Sequence, residues 1–293
     1  MENVTQIAQL TINGMSIGAI YGLVALGLVL TYKSTEVLNF AHGDVLMFSA
    51  FLGWGLIEGL GASFWLALPA AAIVAAAATW LLEQRVVRII AGQPQFAGVM
   101  LTIGLAFMIR GMVSMGFGPE SRNFTTPWAG QISHVGGIVI ADLNLIIIAV
   151  TLVITAGLYG FLTRSAVGVA IQAASQNQLA AYLSGIRVKR LNSLVWGISG
   201  AIAAVSGMLL APITMVDIGL WAVLLKGLAA LVLGGFGSVR GAIVGGLLIG
   251  LIEQFSGVFL PDGFKDVMAY LVLIGVLIVW PRGLFSEAHG RRV

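Results

Sequence analysis

The sequence contains no cysteine, which excludes disulfides and thiol chemistry and says little about compartment. Charge is nearly as scarce. Asp, Glu, Lys and Arg make up 9% of the 293 residues, against about 25% in a typical soluble globule, so there is too little polar surface to face water on every side. No G-x-x-x-x-G-K-[ST] stretch occurs, and with it the Walker-type cradle for nucleotide phosphates is missing. The three histidines, His42, His134 and His289, stand in unrelated settings and suggest neither a metal cluster nor a Ser-His-Asp set. The chain is therefore expected to hold no metal or other cofactor of its own and to carry out no bond chemistry. Its net charge of +3 comes from Lys and Arg in connecting loops, which reports orientation and not nucleic-acid binding.

What is present is apolar. Hydrophobic residues reach 59% and the mean hydropathy is +1.01. The apolar runs are continuous over about 15 to 20 residues, where barrel strands would alternate over about ten. An all-α fold follows: one polytopic transmembrane helical bundle over residues 1–293, with about eight to nine spans. The apolar runs lie at about 12–31, 45–60, 64–82, 96–115, 143–162, 191–211, 221–235, 241–259 and 265–280. Met1 to Gln9 has neither a basic n-region nor a small-residue cleavage pattern, so the first span is expected to be retained. Gly14, Gly18 and Gly22, spaced four apart, thin one face of that span, and Gly241, Gly245, Gly246 and Gly250 do the same for 241–259. Pro212 is expected to stop the sixth span. Gly234 to Arg240 breaks the stretch 220–257, so that 221–235 either crosses fully or re-enters.

Charge decides between those threadings. If 221–235 crosses, Lys33, Arg85, Arg88, Arg164, Arg187, Lys189, Arg190, Arg240, Arg282, Arg291 and Arg292 share one side, and Arg122 and Lys265 are left on the other. The positive-inside rule then places the crowded side in the cytoplasm, with the N-terminus out and the C-terminus in. The segment Gly116 to Asp142 becomes an external loop.

Between 143–162 and 191–211 lies a long, polar, basic stretch, Ala166 to Arg190, the core of a cytoplasmic segment at about 164–190. Ser175 and Gln178 fit a capping box, Leu179, Ala180, Ala181 and Leu183 favour helix, and Gly185 stands where a left-handed C-terminal residue belongs. A helix of roughly nine residues is expected, too short for a bilayer that needs about 20. It is either an interfacial linker or a docking helix for a soluble partner.

Polar residues inside the apolar regions supply candidate path residues. Asn39, His42 and Asp44 interrupt the chain before span 2; they are turn and capping residues, with Asp44 as N-cap, or they form a polar site on a solute path. Lys226, Glu253 and Arg110 lie within spans and should face protein or water, since each would cost several kcal/mol facing lipid. Lys226 and Glu253 either neutralise one another or line the path.

Three stretches, GAIYGLVALGLVLTYKSTEVLNFAHGD (18–44), AIQAASQNQLAAYLSGIRVKR (170–190) and KGLAALVLGGFGSVRGAIVGGLLIGLIE (226–253), occur in order with the ending LIVWPRGLF (277–285). Together they resemble the permeases of branched-chain amino-acid ABC importers, the Liv type, and within it the H-like subunit. The resemblance implies a second homologous permease subunit and two cytoplasmic ATPase subunits that carry ATP and magnesium. It also implies a periplasmic or extracellular solute-binding protein and a place in the bacterial inner membrane. The central segment is similar to the importer coupling loop, E-A-A-x-x-x-G: Ala180, Ala181 and Gly185 match, and Leu179 replaces the acid. Apolar packing of Leu179, Leu183 and Ile186 into an ATPase groove would take the acid's place, with Ser175 and Asn177 completing the contact set. The resemblance implies leucine, isoleucine or valine as substrate, although look-alikes serve urea, short amides and other amino acids. A rival is an ion-coupled secondary transporter using Asp44, Lys226 and Glu253; no self-similarity between the halves supports it. A passive channel is a third option.

Overall fold

A computed structural model describes residues 2–90, 92–135, 138–261, 263–280 and 283–285. Arg282, His289, Arg291 and Arg292 lie outside the described residues, and with them the tail's share of the charge count. In an apolar chain the backbone polar groups must be satisfied within each segment, and helices do this. The long helices of the first half are α1 (Glu2–Thr35), α3 (Phe64–Arg85), α4 (Gln95–Phe117) and α5 (Asp142–Arg164). Between α1 and α3 lies α2 (His42–Trp54), which continues as a π-helical turn over Gly55–Gly59. After α5 come two short helices, α6 (Ala166–Gln176) and α7 (Gln178–Leu183), then α8 (Val188–Thr214). A 3-10 turn at Ile218–Ala222 leads into α9 (Val223–Gly234), followed by α10 (Val239–Phe259) and α11 (Phe264–Val279).

Among the described residues six helices, α1, α3, α4, α5, α8 and α10, are long and apolar enough to cross a membrane. That number, set by helix length and composition alone, differs from the expected eight to nine spans. All nine apolar runs are helical, but α2 has 13 residues, α9 has 12 and α11 has 16, short of the about 20 that a full crossing takes. Before α2 the backbone at 36–41 is not helical, and before α9 residues 215–217 lead into the 3-10 turn at Ile218–Ala222. Pro212 does not stop α8, which continues to Thr214. Gly116 to Asp142 contains structure that the sequence did not suggest, a hairpin of β1 (Ile132–Val135) and β2 (Ile138–Ala141) in antiparallel register.

Glycine sets how closely the helices approach. α1 is the buried axis, with Ile20, Leu23, Val24, Ala25, Leu26 and Val29 fully enclosed. A β-carbon at Gly18 would stand 2.7 Å from the Gly246 carbonyl oxygen of α10, and one at Gly14 would stand 3.0 Å from Leu251. The small-residue faces expected from spacing are therefore turned toward each other, and their contact is backbone to backbone. The same device joins α3 to α8: Ala67, Ala71 and Ala75 are buried in steps of four, and a β-carbon at Gly200 would meet the Ala75 carbonyl oxygen at 2.7 Å. Overpacking such a contact by a methyl group costs typically about 1–3 kcal/mol.

The bundle has two distinct ends. At the linker end stand α6 and α7, the last turns of α1, α3, α5 and α9, and the first turns of α4, α8 and α10. Lys33, Arg85, Arg88, Arg164, Arg187, Lys189, Arg190 and Arg240 gather there. The hairpin end carries β1, β2, Arg122 and Lys265.

Candidate functional site

The two irregular segments enter the bundle from opposite ends and meet inside it. Asn39 forms a turn, its Oδ1 accepting the Ala41 N–H at 3.1 Å, so α2 begins at His42, well below the linker end. The ring of His42 lies against Gly27, eight residues before the end of α1, or about 12 Å at 1.5 Å per residue. From the hairpin end, residues 215–222 descend until Gly43 packs on the carbonyl oxygen of Trp221 and the side chain of Leu224. A side chain at Gly43 would hold these two helix starts apart.

Asp44 is not an N-cap. The N-cap position is Ala41, without a side-chain cap, and Asp44 sits in the first turn of α2 with its carboxylate turned to α4. Arg110 donates to it from Nε (2.9 Å to Oδ1) and from Nη2 (3.2 Å to Oδ2). A buried carboxylate needs a cation more than a helix needs a cap. The guanidinium also stacks 4.0 Å from the Trp221 ring and lies 5.3 Å from Phe107. Beside this pair, Ser199 donates to the Gly27 carbonyl oxygen and stands 3.2 Å from His42 Nδ1. His42 Nε2 has no hydrogen-bond partner among the described residues.

Lys226, in the first turn of α9, has a fuller set of partners. Its Nζ donates to Glu253 Oε1 at 2.8 Å and to Asp266 Oδ1 at 3.2 Å, and it lies 5.7 Å from the Tyr21 ring. Tyr21 donates to the other oxygen, Glu253 Oε2, at 2.8 Å. Of the two roles left open for Lys226 and Glu253, mutual neutralisation is what the geometry displays. The sequence offers Asn39, His42, Asp44, Lys226 and Glu253 as one group. The structure separates Asn39, His42 and Asp44, at the start of α2, from Lys226 and Glu253, in a cluster joining α1, α9, α10 and α11. It adds Trp221, Ser199, Tyr21 and Asp266, and gives Arg110, singled out by its place within a span, to Asp44 as partner. Charge balance was the available signal: an Arg and an Asp, each alone in an apolar neighbourhood, ask for one another.

At the linker end the short helix is α7, with six residues where about nine were expected. Its N-cap is Asn177, whose extended backbone lets Oδ1 accept the Ala180 N–H at 2.9 Å. Ser175 belongs to α6 and donates to the Gln172 carbonyl oxygen, so the expected capping box does not form. Gly185 does adopt the left-handed conformation (φ 84°), with Ile186 N–H reaching Ala181 O and Gly185 N–H reaching Tyr182 O, the paired bonds of a Schellman motif. Ala181 is buried against Ala174 and Val188, and Ile186 packs on the same small core. The outer face shows Leu179, Tyr182 and Leu183, exposed by 68%, 67% and 77%. Gln178 ties α7 to α1 by donating to the Ser34 carbonyl oxygen at 2.9 Å. A cleft of about 610 Å³ opens between the α6–α7 break and the ends of α1, α3 and α4. On its wall Arg88 donates to Glu83, to the Lys189 carbonyl oxygen and to Ser193, bracing α3 against α8.

Comparison with known proteins agrees over almost the whole chain. Residues 10–277 match the family described as branched-chain amino acid transport system / permease component. The chain is 30% identical, over all of both chains, to the high-affinity branched-chain amino acid transport system permease protein BraD of Pseudomonas aeruginosa. It is 31% identical, over 96% of each, to the permease protein LivH of Escherichia coli strain K12. Among solved structures, PsaBC from Streptococcus pneumoniae in complex with Fab aligns with a TM-score of 0.50 at 14% identity, covering 94% of this chain and 91% of that one; this likeness concerns the fold alone. With its apolar helices and full-length relatives, this multi-pass membrane protein belongs to the family of branched-chain amino acid transport system permease components.

Proposed function

We propose that the chain is one transmembrane subunit of an ATP-binding-cassette importer that moves branched-chain amino acids into the cytoplasm of a bacterium. The observation that carries this beyond family membership is α7. Three large apolar side chains stand in water at the basic end of the bundle, on a helix pinned by its cap, its Schellman motif, the Ala174–Ala181–Val188 contact and Gln178. An apolar patch of this kind on a rigid mount marks a protein contact. The partner here is a cytoplasmic ATPase subunit, one of two, which binds the ATP and magnesium; a second permease and a solute-binding protein complete the importer. The linker end faces the cytoplasm, in keeping with its excess of Lys and Arg.

ATP binding closes the ATPase dimer and displaces α7. The Gln178 bond and the α6 connection pass the motion to α1 and α5, and the bundle changes the side to which its path is open. Leu183→Asp puts a charge into the ATPase groove, and Gly185→Pro demands a negative φ where the chain needs φ 84°. Both variants are expected to insert into the membrane and to lose copurifying ATPase or its coupling. Leucine uptake should fall by about tenfold or more, since weakening the docking by about 1.4 kcal/mol is already a factor of ten. Normal uptake and normal copurification in both would remove the basis for the proposal.

A further inference from the structure

The guanidinium of Arg110 is only partly used by the protein. It carries five N–H donors. Two serve Asp44, and the remaining three, both on Nη1 and one on Nη2, have no hydrogen-bond partner among the described residues. Its faces meet Trp221 and Phe107. Its free edge points away from Asp44, and the side chain is 22% exposed while that of Asp44 is 1% exposed. This edge lies within α4, a helix long and apolar enough to span the membrane. Unsatisfied guanidinium hydrogens do not face lipid without large cost, so the edge looks onto water or an anion. Lys226 differs, because two carboxylates and the face of a ring occupy its ammonium.

We propose that Arg110 is the membrane-embedded ligand for the carboxylate of the transported amino acid. Asp44 holds the guanidinium in plane and leaves its outer edge for a second, substrate carboxylate. Two N–H groups in a planar fork match the two oxygens of a carboxylate, a geometry that Lys cannot reproduce. Trp221 and Phe107 offer the adjacent apolar surface for an aliphatic side chain. The site rests on the importer assignment and narrows it, since a neutral amide lacks the group that Arg110 would bind.

The chain has no cysteine of its own, so a single one can report on this face. Ser114 lies one turn from Arg110 on the same side of α4 and is half-buried. In the full importer complex in nanodiscs, Ser114→Cys is expected to react with a charged, membrane-impermeant thiol reagent. Leucine should slow that reaction, and leucinamide should not. With Arg110→Gln added, leucine should no longer protect. In proteoliposomes, Arg110→Lys should lower leucine uptake by about tenfold, as for loss of one charge-assisted hydrogen bond, with the ATPase subunits still bound.

The site is overturned if Ser114→Cys reacts only with lipid-soluble reagents, if leucinamide protects as well as leucine, or if Arg110→Lys transports like the unaltered complex. In each case the importer assignment survives, provided the unaltered complex carries leucine. An unaltered complex that carries no amino acid overturns both. Should the Arg110 variants fail to assemble, the protection measured on Ser114→Cys alone still decides.

Discussion

Two ion pairs among the described residues lie within the helices of the bundle, Lys226–Glu253 and Arg110–Asp44, and they are built differently. Around Lys226 the charges close on themselves: Glu253 takes one bond from Lys226 and one from Tyr21, Asp266 sits at the rim, and four helices are joined. Around Arg110 the pair is open: Asp44 is fully enclosed, but the guanidinium keeps an edge that no protein group meets among the described residues. The first resembles a fastening, the second a receptor. A buried charge in a membrane protein is not by itself a sign of transport; whether its donors are all taken tells the two roles apart.

The largest test of that contrast is Lys226→Met, which leaves the Glu253 carboxylate buried with a single hydroxyl donor. Removing one partner of a buried pair costs about 3–5 kcal/mol, whereas replacing both by apolar groups is often neutral. Thermal unfolding in detergent should therefore fall sharply for Lys226→Met and recover in the double variant Lys226→Met with Glu253→Met. A neutral single variant would mean that the cluster is not a fastening. Gly43→Ala comes next. Its methyl group would run into Trp221 and Leu224, an overpacking of about 1–3 kcal/mol, and it separates α2 from the 3-10 turn that supplies the Trp221 ring. Leucine uptake should drop more than stability does; equal losses would show that the open pair is structural as well. A comparable effect is expected for Tyr21→Phe, which removes one of two donors to the Glu253 carboxylate and should cost about 1.5–3 kcal/mol, read as a lowering of the unfolding temperature with uptake unchanged.

Much of the architecture is legible in the residues because it depends on local pattern. Continuous apolar runs become helices, and their positions differ little from the segments observed. Gly14, Gly18 and Gly22 announce a thin face, and that face receives α10. Gly185 is recognisable as a left-handed stop since few other residues adopt φ 84° without strain. The departures have a common origin. Spacing alone makes caps of Ser175 and Asp44, yet each is governed by something else: Ser175 by its place inside the preceding helix, Asp44 by an arginine 66 residues away. Hydropathy likewise overestimates the helices beside 36–41 and 215–217, where the chain turns before α2 and before the 3-10 turn that packs on Gly43.

The sequence alone therefore determined that this is a helical membrane protein, which faces are thin, and where a short linker helix ends, since hydrophobicity and backbone preference act over a few neighbouring residues. Only the tertiary structure decided that Arg110 belongs to Asp44 and Lys226 to Glu253, that one pair is closed and the other open, and that Leu179, Tyr182 and Leu183 point outward while Ile186 turns in. Those outcomes depend on distances between segments far apart in the chain, and electrostatic pairing in a medium of low dielectric is set by distance in space.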